Sequence, residues 1–70
     1  MILVLLAEGF EEIEALTPVD ILRRGGFDVK TVAIGTETKT VTGSHGISVL
    51  ADMTEAQLKA RSDFPHALST

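Results

Sequence analysis

The chain opens with a continuous apolar run that predicts a buried β-strand. Residues 2–7 read ILVLLA and end at Glu8-Gly9. Unbroken apolarity over so few residues is typical of a strand covered on both faces, as in a parallel α/β sheet. The run has no basic leader and is too short to span a bilayer, so we expect neither a signal peptide nor a membrane helix here.

A helical pattern follows the strand, over residues 10–24. At about 100° per residue, its apolar side chains fall on two sides of the helix. One side carries Ala15, Val19 and Leu22, with Leu16 at its edge, and the other carries Phe10, Ile13 and Ile21. We expect both sides to be covered. The second cover is either the rest of the domain or a second copy of the chain near Ile13, and the pattern leaves both possibilities open.

Charges and glycines mark the two ends of this helix. Glu11 and Glu12 lie at its start, where the positive end of the helix dipole favours anions, and Arg23 and Arg24 lie at its negative end. The Gly25-Gly26 pair that follows predicts the C-terminal stop. We interpret Glu11 and Glu12 as solvated charges that complement the helix start.

The remaining pattern predicts further strands and a short helix. Residues 27–34 (FDVKTVAI) predict a second strand, so that residues 2–34 form a βαβ unit with a right-handed crossover. Two β-branched pieces, around Val41 and over residues 47–50, predict a hairpin around a GSHG turn. Thr54 and Gln57 predict a capping box for a helix from residue 55 to about residue 61. The last nine residues show neither periodicity.

Composition narrows the classes of function. The 70 residues are 44% hydrophobic and carry a net charge of −4, which indicates one small folded domain without an electrostatic footprint for nucleic acid. The chain has no cysteine, so it offers no disulfide, no thiolate zinc site and no cysteine nucleophile of its own. Its two histidines, His45 and His66, are far apart and give little support to a metal site. We expect a cytoplasmic protein without metal or cofactor.

Glu14 differs from the other acids because of Pro18. A proline has no N–H, so the carbonyl of Glu14 loses its helical hydrogen-bond partner and the helix is predicted to bend there. The helical spacing puts Glu14 near Phe10 and Ile21, away from Glu12, so we expect its side chain to be partly buried. Burial favours the protonated form of a carboxyl group, which can donate a hydrogen bond to an anion. The alternative is an ordinary helix glutamate.

Other catalytic patterns are scarce. The sequence has no glycine-rich dinucleotide or phosphate loop and no HExxH zinc motif. Ser44 and His45 are adjacent, but neighbours along a chain rarely form a nucleophile–base pair, and no supporting acid is apparent. These patterns add no catalytic residue, and the role of Glu14 stays open between the two alternatives.

Taken in order, these motifs closely resemble the start of the ThiJ/PfpI superfamily, which includes the Parkinson-disease-associated protein. The resemblance rests on EGFEEIE at 8–14, TPVD at 17–20 and RRGG at 23–26, together with GSHGISV at 43–49 in the hairpin. It covers residues 1 to about 53, whereas residues 61–70 depart from the family's pattern. The combination is much more specific than any one of these short patterns.

The resemblance implies an α/β fold, the N-terminal part of a flavodoxin-like (class I glutamine amidotransferase-like) three-layer sandwich. The expected order is β-α-β-(β-hairpin)-α and is incomplete, so we divide the chain into a family segment at 1–60 and a divergent tail at 61–70. The family is usually homodimeric. The positions that match its dimer contact, and form the predicted interface, are Ile13, Leu16, Asp20, Arg24 and His45.

For function, the resemblance implies a cysteine-dependent, cofactor-independent protein that acts on small reactive carbonyls as a glyoxalase or deglycase, or in oxidative stress. Glu14 matches the glutamate that donates a hydrogen bond to the family's reactive cysteine. That cysteine has no counterpart in these 70 residues. We therefore expect a truncated family protein that is inactive alone, with Glu14 as the helper of a missing nucleophile.

Two other classes of protein are alternatives to this one. The first is a non-enzymatic, chaperone-like interaction protein or an inactive fragment, suggested by the helix that is apolar on two sides. The second is a two-component receiver domain. A receiver needs an acidic pair for Mg²⁺ at the end of its first strand, where this chain has Ala7-Glu8-Gly9, so the receiver is disfavoured.

Overall fold

The fold is built on a four-stranded parallel sheet. The computed structural model describes residues 1–61 and the backbone of residues 66–69. In chain order the elements are β1 (Ile2–Leu6), α1 (Glu12–Arg24), β2 (Val29–Ala33), β3 (Thr40–Thr42), β4 (Ser48–Leu50), β5 (Met53–Thr54), α2 (Glu55–Lys59) and β6 (His66–Ser69). The strand order across the sheet is β5-β2-β1-β6, and every neighbouring pair is parallel.

Both faces of the sheet are covered, as the unbroken apolar run of β1 predicts. Successive strand residues point to opposite faces, so β1 supplies two separate packing surfaces. On one face, Val4 and Leu6 pack with apolar residues of α1 and of the β3–β4 hairpin. On the other face, Leu3 and Val32 form a smaller cluster that includes Leu58 of α2. The result is the expected three-layer α/β arrangement.

Helix α1 packs only one of its two apolar sides. Ala15 and Val19 are buried against the sheet, whereas Ile13 is 79% exposed and Ile21 is 60% exposed. Nothing in the described part of the chain covers the second side, so its cover by the rest of the domain or by a second copy stays a prediction. Pro18 lies inside α1 without ending it, and the bend there stays a prediction. No helix in residues 1–61 is long and apolar enough to cross a membrane.

The hairpin and the second helix match their sequence predictions. Strands β3 and β4 pair antiparallel, with Val41 opposite Val49. The capping box is present, because the hydroxyl of Thr54 accepts from the N–H of Gln57 (3.2 Å) and the Gln57 side chain accepts from the N–H of Thr54 (2.8 Å). The helix that it starts is shorter than predicted and ends at Lys59.

Strand β6 is one of two elements that the sequence pattern missed, the other being the two-residue strand β5. Its four residues pair with β1 in register, from Ile2 opposite His66 to Leu5 opposite Ser69. Four residues are too few to establish a period, and the pairing is fixed by the free edge of β1 rather than by local propensity. The expectation that no strand follows α2 is therefore wrong. Residues 62–65 and 70 lie outside the described residues, and the domain boundary after residue 60 stays a prediction.

Candidate functional site

Four glutamates lie just beyond the carboxyl end of β1, in the β1–α1 loop and the first turn of α1. They are Glu8, Glu11, Glu12 and Glu14. The strand order changes direction here, because β2 lies on one side of β1 and β6 lies on the other. In open α/β sheets, ligands bind outside the carboxyl ends of the strands at such a switch point. The start of α1 is therefore the candidate functional site.

Glu12 is the buried acid of this group, with 6% of its surface exposed, so the interpretation of Glu12 as a solvated charge is wrong. One carboxylate oxygen, Oε2, accepts hydrogen bonds from the backbone N–H groups of His45 (2.9 Å) and Ile47 (3.2 Å). The other oxygen, Oε1, lies 3.0 Å from Nδ1 of the His45 ring. A single side chain at the helix start thus binds the turn of the β3–β4 hairpin, more than 30 residues away in sequence.

Gly43 makes room for this carboxylate. A Cβ atom placed on Gly43 would overlap the Cδ and Oε2 atoms of Glu12. The backbone of Gly43 does not have a positive φ, so space rather than conformation requires glycine there. Two backbone hydrogen bonds close the same contact, from Ser44 N to Phe10 O and from Gly9 N to Thr42 O, both 2.8 Å long.

Two further acids of the group also bind the hairpin. The carboxylate of Glu8 accepts from the N–H of Thr42 at 3.2 Å. The hydroxyl of Ser44 donates to Oε1 of Glu11 at 3.0 Å. Three of the four glutamates are therefore engaged in holding the hairpin against the start of α1.

The contacts around Glu12 shift two pKa values. Burial alone would raise the pKa of Glu12, but hydrogen bonds from its own backbone N–H, from the His45 side chain and from the backbone of Ile47 and His45 outweigh burial, and the pKa falls to about 2. The pKa of His45 is raised above its usual 6.5 by the hydrogen bond to Glu12 and by the charges of Glu12 and Glu11, against a smaller opposing effect of burial. Each pKa shift favours the charged form of its group, the imidazolium of His45 and the carboxylate of Glu12.

Ser44, His45 and Glu12 do not form a catalytic triad, although all three lie together. The Ser44 hydroxyl is 3.1 Å from His45 Nδ1, and the Glu12 carboxylate contacts the same nitrogen. A triad places the nucleophile on one ring nitrogen and the acid on the other, so that the proton can cross the ring. The acid that the sequence did not reveal exists, but its role here is to hold the turn.

Glu14 is exposed, so the expectation that it is the partly buried acid is wrong. Helix α1 begins at Glu12, so the buried Phe10 belongs to the preceding loop and not to the helix. The side of α1 on which Glu14 lies is consequently the uncovered side. Helical spacing does place Glu12 with Ala15 and Val19, so the buried stripe was the signal that could have identified it.

The residues predicted to form an interface are brought onto one side of the molecule. Ile13, Leu16 and Asp20 line a shallow groove along α1. Ile13 also borders a second groove with His45. Arg24 is exposed and pairs with Asp20 one turn away, at 3.1 Å between Nε and Oδ1. The structure places these residues together without testing their role.

A second cluster holds the other end of α1. One Asp52 oxygen, Oδ2, lies 2.7 Å from Arg23 Nη2 and accepts from the backbone N–H of Thr31 (2.7 Å) and from its hydroxyl (3.1 Å). The guanidinium also donates to the carbonyl of Val29. Burial acts to raise the pKa of Asp52, but the bonds from Thr31 and the charge of Arg23 lower it overall. Within residues 1–61, no group of three or more potential ligands has the geometry of a metal site.

Comparison with known proteins identifies the class. The sequence profile of the DJ-1/PfpI family matches residues 1–65, and the chain belongs to this family. It is similar to DJ-1 homologs A and B of Arabidopsis thaliana, with 39% and 45% identity over 51 residues. Those residues are 73% of this chain but only 13% and 11% of the two relatives.

Solved structures give the same assignment. A DJ-1 superfamily protein from Salmonella typhimurium, solved as a cysteine-to-alanine mutant, is 44% identical with a TM-score of 0.79 over 84% of this chain and 31% of its own. Oxidized Toxoplasma gondii DJ-1 is 31% identical with a TM-score of 0.86, over 97% of this chain and 36% of its own. A Bacteroides thetaiotaomicron structure described as a putative protease I has a TM-score of 0.86 at 20% identity and supports the fold alone. The predicted superfamily and flavodoxin-like fold are confirmed, and this chain spans about a third of these structures.

Proposed function

We propose that these residues belong to a DJ-1-like stress protein in which Glu14 hydrogen-bonds a reactive cysteine located outside the 70 residues. The complete protein would convert small reactive carbonyl compounds such as methylglyoxal. The observation that carries the proposal is the state of the four glutamates. The side chains of Glu8, Glu11 and Glu12 bind the hairpin, whereas the Glu14 side chain has no hydrogen bond or ion pair in the described part of the chain.

The proposed chemistry requires Glu14 to be protonated, and burial by the rest of the complete protein would favour that form. A glutamic acid that donates a hydrogen bond to a thiolate stabilises the thiolate and makes the cysteine a better nucleophile near neutral pH. The positive end of the helix dipole also stabilises a negative charge near the start of a helix, so it would favour the thiolate as well. Converting methylglyoxal to lactate adds one water molecule and moves hydrogen from one carbon to the next, so the overall reaction consumes no oxidant or reductant. Membership of the DJ-1/PfpI family supports the proposal.

The test is a graft of residues 1–61 into the 44% identical Salmonella protein with its cysteine restored. In this graft, Glu14→Gln should lower methylglyoxal turnover by roughly 100-fold or more and raise the pKa of the thiol. Glu37→Gln is the matched control, because Glu37 is exposed and removing its charge alters no described contact. Unchanged turnover and an unchanged thiol pKa in Glu14→Gln would contradict the proposal. The 70-residue chain alone, without a cysteine, should show no turnover.

A second candidate is an interaction role, through a homodimer formed by α1. The exposure of Ile13 favours it, because a 79% exposed isoleucine borders grooves that also contain Leu16 and His45. Sedimentation should find a dimer that Ile13→Asp dissociates, and a monomer at every concentration would contradict it. A cytoplasmic location stays a prediction.

A further inference from the structure

The turn of the β3–β4 hairpin, residues 43–47, is bound to α1 through a group that can change its charge. We propose that His45 and Glu12 form a protonation-dependent clamp that is tightest when His45 is protonated and that fixes the first turn of α1. His45 would then act through Glu12 as a positioning residue for Glu14. The clamp itself is independent of catalysis, whereas its effect on Glu14 chemistry rests on the proposed function.

The geometry concentrates the contact on Glu12. Its carboxylate receives two backbone N–H groups and the imidazole ring from the turn, and all three come from His45 and Ile47. Glu12 and Glu14 lie in the same helical turn but on different sides of it, one buried and one exposed. Holding Glu12 therefore constrains the backbone that carries Glu14 without blocking the Glu14 side chain.

The charges facing His45 are all negative in the described part of the chain. From α1, Glu12 Oε1 lies 3.0 Å and Glu11 Oε2 lies 3.9 Å from Nδ1. The nearby Glu8 of the β1–α1 loop is occupied elsewhere, because it accepts from the N–H of Thr42. A protonated imidazole is therefore a cation between the carboxylates of Glu12 and Glu11. When the proton is lost, the attraction between the ring and these two carboxylates weakens.

Deprotonation should loosen the clamp rather than release it. The backbone N–H groups of His45 and Ile47 that donate to Glu12 do not titrate. A neutral imidazole that carries its proton on Nδ1 can still donate to Oε1 of Glu12. The ring is also 72% exposed, so solvent screens part of its charge. The expected change in local opening is therefore modest, roughly two- to fivefold.

The test is an NMR titration of the full 70-residue chain. Loss of one imidazole signal in His45→Gln assigns His45, since the sequence has only one other histidine. The His45 midpoint should lie above 6.5 and fall in Glu12→Gln, but not in Glu37→Gln. Amide hydrogen exchange, corrected for the intrinsic exchange rate, measures how often the hydrogen bond of the Ile47 N–H opens. This opening should be two- to fivefold more frequent above the His45 midpoint than below it, and the increase should vanish in His45→Gln. A midpoint unmoved by Glu12→Gln, or an Ile47 opening rate without the step, would overturn the clamp.

A second readout separates the clamp from the proposed function. In the graft with a cysteine, the pH profile of methylglyoxal turnover should contain a step at the His45 midpoint that His45→Gln removes. A clamp seen by NMR with no such step would reject its link to Glu14 chemistry. If Glu14→Gln also had no effect in the graft, the proposed function would fail while the clamp itself stood.

Discussion

The two ends of α1 are held to the rest of the fold by similar devices with different partners. At the start, the Glu12 carboxylate accepts from the backbone of the hairpin turn and pairs with His45. At the end, the Asp52 carboxylate accepts from the backbone N–H of Thr31 and pairs with Arg23. In each place a carboxylate joins α1 to a segment that is distant in sequence, the hairpin turn at the start and strand β2 at the end.

The difference between the partners decides how each end responds to pH. A guanidinium stays protonated in proteins, whereas an imidazole loses its proton near neutrality. The Arg23–Asp52 contact should therefore be constant above the range in which carboxylates titrate. The His45–Glu12 contact should change between mildly acidic and mildly basic conditions. The contact at the end of α1 should therefore not depend on pH near neutrality, whereas the contact at its start should. Glu14 lies at the start.

The largest expected effect is obtained by filling the space beside Glu12. Gly43→Ala should destabilise the fold by about 1–3 kcal/mol, because the added methyl group overlaps the carboxylate and displaces it from the hairpin. Urea denaturation of the full chain measures the change. Gly25→Ala is the matched control, since a Cβ there meets its nearest atoms at an ordinary 3.5 Å. Equal stability of the two variants would mean that Glu12 does not occupy the space beside Gly43.

A smaller effect is expected at the other end of α1. Asp52→Ala leaves the backbone N–H of the buried Thr31 without its acceptor, which should cost about 1–2 kcal/mol. The lost contact with Arg23 adds less, because both side chains are partly exposed and solvent screens the pair. Asp28→Ala is the control, since its ion pair with Lys30 is 3.7 Å long and exposed. If both aspartate variants unfold at the same urea concentration, the end of α1 is not held by Asp52.

Most of the fold follows from local patterns in the sequence. The buried run of β1, the glycines after Arg24 and the Thr54 capping box each predict an element that the structure contains. These signals are short-range, because they depend on residues within a few positions of each other. Strand β6 could not be predicted in this way, since its pairing depends on the free edge of β1.

The candidate site was only partly predictable, for a related reason. The cluster of glutamates and the turn with His45 were both recognised, but the sequence does not state that Glu12 meets His45 33 positions later. Treating Phe10 as helical placed the second apolar side of α1 in the core and put Glu14 there with it. Glu12 continues the stripe of Ala15 and Val19, and that spacing points to the acid that the structure buries.

The smallest expected effect is on the pH dependence of stability, and it tests the contrast between the two ends directly. The pKa of His45 is raised in the folded chain, so its contribution is complete below about 6.5 and is lost as pH rises through the folded value. The pKa of Glu12 is lowered from 4.5 to about 2, so its contribution is complete above 4.5 and is lost as pH falls toward 2. The start of α1 should be most stable between about pH 4.5 and 6.5.

The Tm difference between the native chain and His45→Gln should shrink from pH 6 to pH 9, while the Tm difference between the native chain and Asp52→Ala stays constant. Parallel changes in both differences would show that the two ends do not respond independently.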